Sequence, residues 1–173
     1  MNTEKKSYLI GGGLVLAYLL FKFTKYQISK AEWFELNKNN RISLPLKGNL
    51  RISSSYGQRG NDFHNGVDLT FKTTPILGAP IFAPLAGTVT SNAYNNLGGN
   101  QVILDCGYAK FGFAHLKEKS PLAVGSKISQ GSFIGYVGNT GHSFGPHLHF
   151  TLRLNNVTVD PVSNIQVLKN ALS

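Results

Sequence analysis

The chain has 173 residues with 17 Lys and Arg against 8 Asp and Glu, a net charge of +9, long enough for one domain with a proper core and too short for two plus a membrane anchor. Nineteen glycines, seven prolines and few long helical patterns beyond residue 40 point to a β-rich, turn-rich unit. A single cysteine excludes an intramolecular disulfide and any two-cysteine metal site, while the positive excess favours polyanionic surroundings such as cell-wall polymers, anionic lipid or nucleic acid.

From the amino end, residues 8–21, YLIGGGLVLAYLLF, are uncharged and lie between Lys5–Lys6 and Lys22. The run is short of the roughly 20 residues of a bilayer core, but flanking lysines can snorkel and Phe23 extends its apolar character. A signal peptide cut near Val15–Ala17 is the rival, and it would leave the apolar YLLFKF at the new terminus. The expectation is therefore an uncleaved membrane anchor over residues 1–26, with lysines on both sides that do not set its orientation. The next stretch, FKFTKYQISKAEWFEL over 21–36, mixes aromatics with lysines. It reads either as a helix continuing through the headgroup layer, with Tyr26 and Trp33 as interfacial anchors, or as an amphipathic helix packed on the domain. Residues 27–40 are thus expected as a helical linker closed by the polar NKNNR, with the folded domain over 41–165 and a tail over 166–173.

In FHNGVDLTF, residues 63–71, His64 and Asp68 flank Asn65-Gly66, a strong turn signal. A turn there folds the chain back so that an imidazole and a carboxylate converge. In GPHLHFTLR, residues 145–153, His147 and His149 are two apart on a strand and face one side, with Leu148 on the other. His149 together with His64 and Asp68 supplies two nitrogens and one oxygen, the donor set with which a catalytic zinc keeps one position open. His115, ending the apolar run KFGFAH, reads alone as a rim histidine, and beside His147 it would complete an acid/base pair. His142, in the turn-rich GNTGHSFG, reads as a solvated loop residue near the cleft, and Cys106 as a buried, inert thiol. Segments starting at Gly78 and Gly125 share a weak repeat that suggests duplicated hairpin units.

The blocks SSSYGQRGNDFHNGVDL (53–69), GNQVILDCGYAKFGFAHL (99–116), GSFIGYVGNTGHSFGPHLHFTLR (131–153) and VDP (159–161) resemble, in order and spacing, the lysostaphin or LytM type of zinc peptidoglycan endopeptidase. The resemblance covers about residues 45 to 162. It implies that His64, Asp68 and His149 hold Zn2+, and that His115 and His147 act on the attacking water and the tetrahedral intermediate. It also implies a mainly β, two-layer antiparallel fold of duplicated hybrid-motif type, with a groove over one sheet for peptidoglycan. Tyr56 and Asn100 are secondary candidates for substrate or oxyanion contacts. Two positions depart from the family's pattern: Thr151 stands where Glu is frequent, and Cys106 where many members carry His. The expected placement is a catalytic domain facing the cell wall from its anchor, in periplasm, at the cell exterior or on a virion membrane. A non-catalytic wall-binding or amidase-activating module of the same fold is the alternative. A phosphocarrier would have no use for Asp68, so no phosphocarrier partner is expected. No nucleic-acid partner is expected either, because the basic residues are spread along the chain.

Overall fold

Two-residue alternation runs through the first five residues of β8 (Ala109–Leu116), where Ala109, Phe111 and Phe113 are buried and Lys110 and Gly112 face the other way. The same pattern in β11 (Leu148–Leu154) buries Leu148, Phe150 and Leu152 and turns His149, Thr151 and Arg153 outward. Strands that are apolar on one side only must cover that side, and they assemble here into an antiparallel sheet. Its order is β1 (Leu50–Ser54), β4 (Val67–Phe71), β11, β8, β7 (Gly99–Asp105), β6 (Gly87–Asn95) and β9 (Lys127–Ile128), with β12 (Val157–Val159) also paired to β11. The core lies on the apolar face, where Phe150 stacks on Phe111 at 5.8 Å between ring centroids. The computed structural model describes residues 27–173, so the expected membrane anchor over 1–26 lies outside the described residues. Among the described residues no helix is long and apolar enough to cross a membrane.

Two small sheets complete the β architecture: β2 (Gly57–Arg59) with β3 (Asp62–His64), and β5 (Pro80–Phe82) with β10 (Phe133–Tyr136). The repeated segments, expected as hairpin units, do not pair within themselves. They pair crosswise, β5 with β10 and β6 with β9. Ile81 and Val89 of the first segment and Ile128 and Val137 of the second are all buried. Each segment thus completes the other's pairing.

Residues 27–40 hold α1 (Lys30–Lys38), which starts on a capping box: Ser29 accepts from the Glu32 backbone N–H while the Glu32 carboxylate takes the Ser29 N–H. Of the two readings of this stretch, the packed helix is the one observed. Trp33 is 1% exposed, sits in the core and meets Phe111 at 6.3 Å, so it is no interfacial anchor; Tyr26 lies outside the described residues. The carboxyl end is likewise packed, through α2 (Pro161–Asn164) and α3 (Gln166–Leu172), whose Leu168 is buried. Asn37 of α1 bonds both the Asn164 carbonyl and the Gln166 N–H, tying the two ends of the domain together.

Candidate metal centre

The opposite, polar face of the sheet forms the floor of a groove of about 930 Å³. Phe63 from the β2–β3 hairpin and Leu97 and Phe144 from the facing loops stand exposed on its walls. At its centre β4 and β11 are paired with Asp68 directly across from His149. The chain enters β4 through Asn65-Gly66, which is a bend and not the expected turn; the chain folds back at Gly60–Asn61, between β2 and β3. Gly66 is needed there because a Cβ would come within 2.7 Å of the Phe150 carbonyl and 2.9 Å of the His149 ring. This close approach sets His64, the last residue of β3, beside Asp68.

Asp68 Oδ1 lies 3.1 Å from His64 Nε2 and 2.9 Å from His149 Nδ1, and the two nitrogens are 3.0 Å apart. The far nitrogen of each ring decides what these near atoms are. His64 Nδ1 is 2.7 Å from the Ser55 carbonyl, which can only accept, so the ring proton sits there. The Arg59 guanidinium also touches this nitrogen, but it has better acceptors in Ser54 Oγ and Asp68 Oδ2, the latter at 3.2 Å. His149 Nε2 is 3.1 Å from Asn65 Oδ1, again an acceptor. In the neutral rings the lone pairs of His64 Nε2 and His149 Nδ1 therefore converge with a carboxylate oxygen.

Three acceptors in such a triangle repel one another unless a cation lies between them. Ligands at about 2.0–2.1 Å from a tetrahedral zinc are about 3.3 Å apart, within a few tenths of an ångström of the sides found here. The donor set of two imidazoles and one carboxylate therefore fits such an ion, and it leaves a side open toward the groove.

Burial alone would raise the Asp68 pKa, but when the facing imidazoles carry an extra proton the hydrogen bond from His149 Nδ1 and their positive charge outweigh it and bring the carboxyl down to about 2. Burial lowers the pKa of His64 and, by the same cause, of His115. Both rings are thus held in the neutral form near pH 7.

His147 precedes β11, donates from Nδ1 to the Gly145 carbonyl at 2.8 Å and points Nε2 at Asp68 Oδ1, 3.5 Å away. His115 donates from Nδ1 to the Thr140 carbonyl at 2.7 Å and brings its ring to 4.7 Å from His147 and 5.9 Å from His149. Plain alternation after Phe111 and Phe113 would send His115 into the core. The register between β7 and β8 shifts between Asn100 and Val102, and His115 takes φ 60° in this bulge, which turns the ring into the groove. Such a left-handed conformation is uncommon outside glycine and is held here by bonds from the His115 N–H to the Gly98 carbonyl and from the Gly138 N–H to the His115 carbonyl.

The five histidine and aspartate candidates are thus brought together. Tyr56 and Asn100 are not among the residues lining the groove; the Tyr56 hydroxyl instead donates to the Thr158 carbonyl and its ring packs edge-on against Phe63. His142 is exposed at the rim, and Cys106 is fully buried, with burial pushing its thiol pKa up. Arg59 and Asn65 escaped sequence reasoning. Asn65 registers in sequence only as a turn former, and its partner His149 is 84 positions away.

The family model described as peptidase family M23 matches residues 62–161. Among curated relatives, the chain is 32% identical over 126 residues to "Peptidoglycan DD-endopeptidase ShyC" of Vibrio cholerae, covering 72% of this chain and 25% of that protein. Among solved structures it resembles a zinc-containing peptidase from Vibrio cholerae, with 30% identity and a TM-score of 0.58 over 67% of this chain and 37% of that one. It also resembles the catalytic domain of the antimicrobial peptidase lysostaphin from Staphylococcus simulans, with 31% identity and a TM-score of 0.57 over 66% of this chain and 91% of that one. The chain spans between about a fifth and two fifths of the length of the curated relatives it matches.

Proposed function

The chain belongs to peptidase family M23, and from that premise we propose that it is a zinc-dependent endopeptidase that hydrolyses peptide bonds of peptidoglycan. The observation that carries this reading is the convergence of His64 Nε2, Asp68 Oδ1 and His149 Nδ1 at the centre of an open groove. A zinc ion held by these three would supply a Lewis acid that polarises the scissile carbonyl and makes a hydroxide-like nucleophile available near neutral pH.

The remaining residues handle substrate and protons. An extended peptide fits a groove floored by strands, with Phe63 and Phe144 flanking it. His115 and His147 face the reacting carbonyl from one side, each with Nδ1–H fixed on a main-chain oxygen, which leaves the two Nε2 atoms, that of His147 beside Asp68, to donate or accept. From there one imidazole takes the proton of the attacking water and the other stabilises the oxyanion or protonates the leaving amine, contributions of roughly 100- to 10,000-fold. Similarity to peptidoglycan endopeptidases supports the substrate. We further infer that residues 1–26 anchor the domain at a membrane facing the wall, a reading supported by the uncharged run between lysines.

The test is mass-spectrometric analysis of purified cell-wall sacculi after incubation with the zinc-supplemented chain, with His149→Ala as control. New peptide termini absent from the control are expected. A folded, zinc-loaded chain that cuts no wall type would favour a wall-binding or amidase-activating module.

A further inference from the structure

On the groove face of β11, beyond His149 and Thr151, comes Arg153, whose direct cross-strand partner on β8 is Lys110. Like charges set directly opposite one another on a sheet are destabilising. Lys110 has an acidic partner, Asp105 at 3.0 Å. Arg153 is exposed and makes no ion pair or side-chain hydrogen bond among the described residues. The floor between it and the metal centre is small and neutral. Thr151 lies across from Gly112, where a Cβ would come within 2.3 Å of the Thr151 hydroxyl, so nothing rises from the floor to bar a substrate chain. Arg153 lies four residue steps along the strand from His149, about 13 Å of extended chain.

We propose that Arg153 is a carboxylate-binding subsite of the groove, and that it selects peptide substrates carrying a free carboxylate three or four residues from the scissile bond over neutral bridges. This rests on the peptidoglycan reading above and names its substrate class. A guanidinium pairs with a carboxylate through two parallel hydrogen bonds, and because Asp105 takes up Lys110, Arg153 is the cation of this pair left to meet an anion. A glycine bridge has nothing to offer this position.

The experiment uses the full chain, with zinc added, on two preparations of one sacculus: untreated, and with its carboxylates converted to amides. Cleavage of the untreated wall is expected to exceed that of the amidated wall by about 10-fold or more. In Arg153→Gln that ratio should fall toward one, whereas Lys72→Gln, which removes the same charge from an exposed position outside the groove, should keep it. A wild type without preference, an Arg153→Gln chain that keeps the ratio, or a Lys72→Gln chain that loses it equally, each overturns the subsite. Co-sedimentation with the two walls separates the two readings. If the wild type cuts neither wall, the endopeptidase reading falls; Arg153-dependent retention on the untreated wall would still support the subsite, and its absence would overturn that too.

Discussion

His64 and His115 are buried and held neutral by that burial, which makes the protein's stability depend on pH in a definite direction. In the unfolded chain both rings take up protons near pH 6.5, and in the folded chain they do so only at lower pH. Stability rises with pH wherever the unfolded state binds more protons, so the metal-free protein should weaken as pH falls from 7.5 to 5.5. Asp68 plays no part in that window, because its contribution is present above about pH 4 and is lost only as pH falls through about 2. Urea midpoints at the two pH values check this; equal midpoints would contradict it. Among the groove histidines, three have their far nitrogen on a main-chain carbonyl, whereas His149 relies on the side chain of Asn65. Asn65→Ala should therefore weaken zinc binding by about 10- to 100-fold, and Asn65→Asp should strengthen it, as read by competition with a chelating indicator. His115→Ala should lose turnover while keeping zinc, whereas Asp68→Ala should lose both, which metal analysis of the purified variants would show.

At the scale of elements, the strands positioned the site more simply than they positioned its individual members. His147 and His149 were legible in the sequence because they lie on or beside a strand whose alternation is unbroken, and Asp68 because it follows His64 by four positions across Asn65-Gly66. The orientation of His115 was not, because the bulge that turns it depends on a register shift against β7 that no local pattern announces. Likewise the repeat was visible, but its crosswise pairing was not, since each half needs the other to bury Ile81 and Ile128. The loop that supports His115 yields a prediction of its own. Gly99, at φ 63°, lets β7 begin so close to Thr140 that a Cβ would lie 2.4 Å from the Thr140 carbonyl carbon. Gly99→Ala must displace the carbonyl to which His115 donates, beyond the ~1–2 kcal/mol cost of a left-handed alanine. A lower melting temperature and a turnover loss larger than the zinc loss are expected; unchanged turnover would argue against that support.

Over the whole molecule, α1 belongs to the packed body. Truncation of Trp33 to Ala should cost about 3–5 kcal/mol, the range for a large buried aromatic. A fragment beginning at residue 41 should accordingly unfold at lower denaturant than one beginning at 27, as paired denaturation curves would show. The residues that converge on the metal centre come from far apart in the chain: Asp68 and His149 are separated by 81 positions, and His64 and His149 by 85. Because β11 must dock between β4 and β8 before its histidine can meet them, no nascent or partly threaded chain carries a complete site. An unfolded or half-threaded chain is therefore chemically blank at this site, and the donor triangle comes into being in a single late event, when its last long-range strand pairing closes.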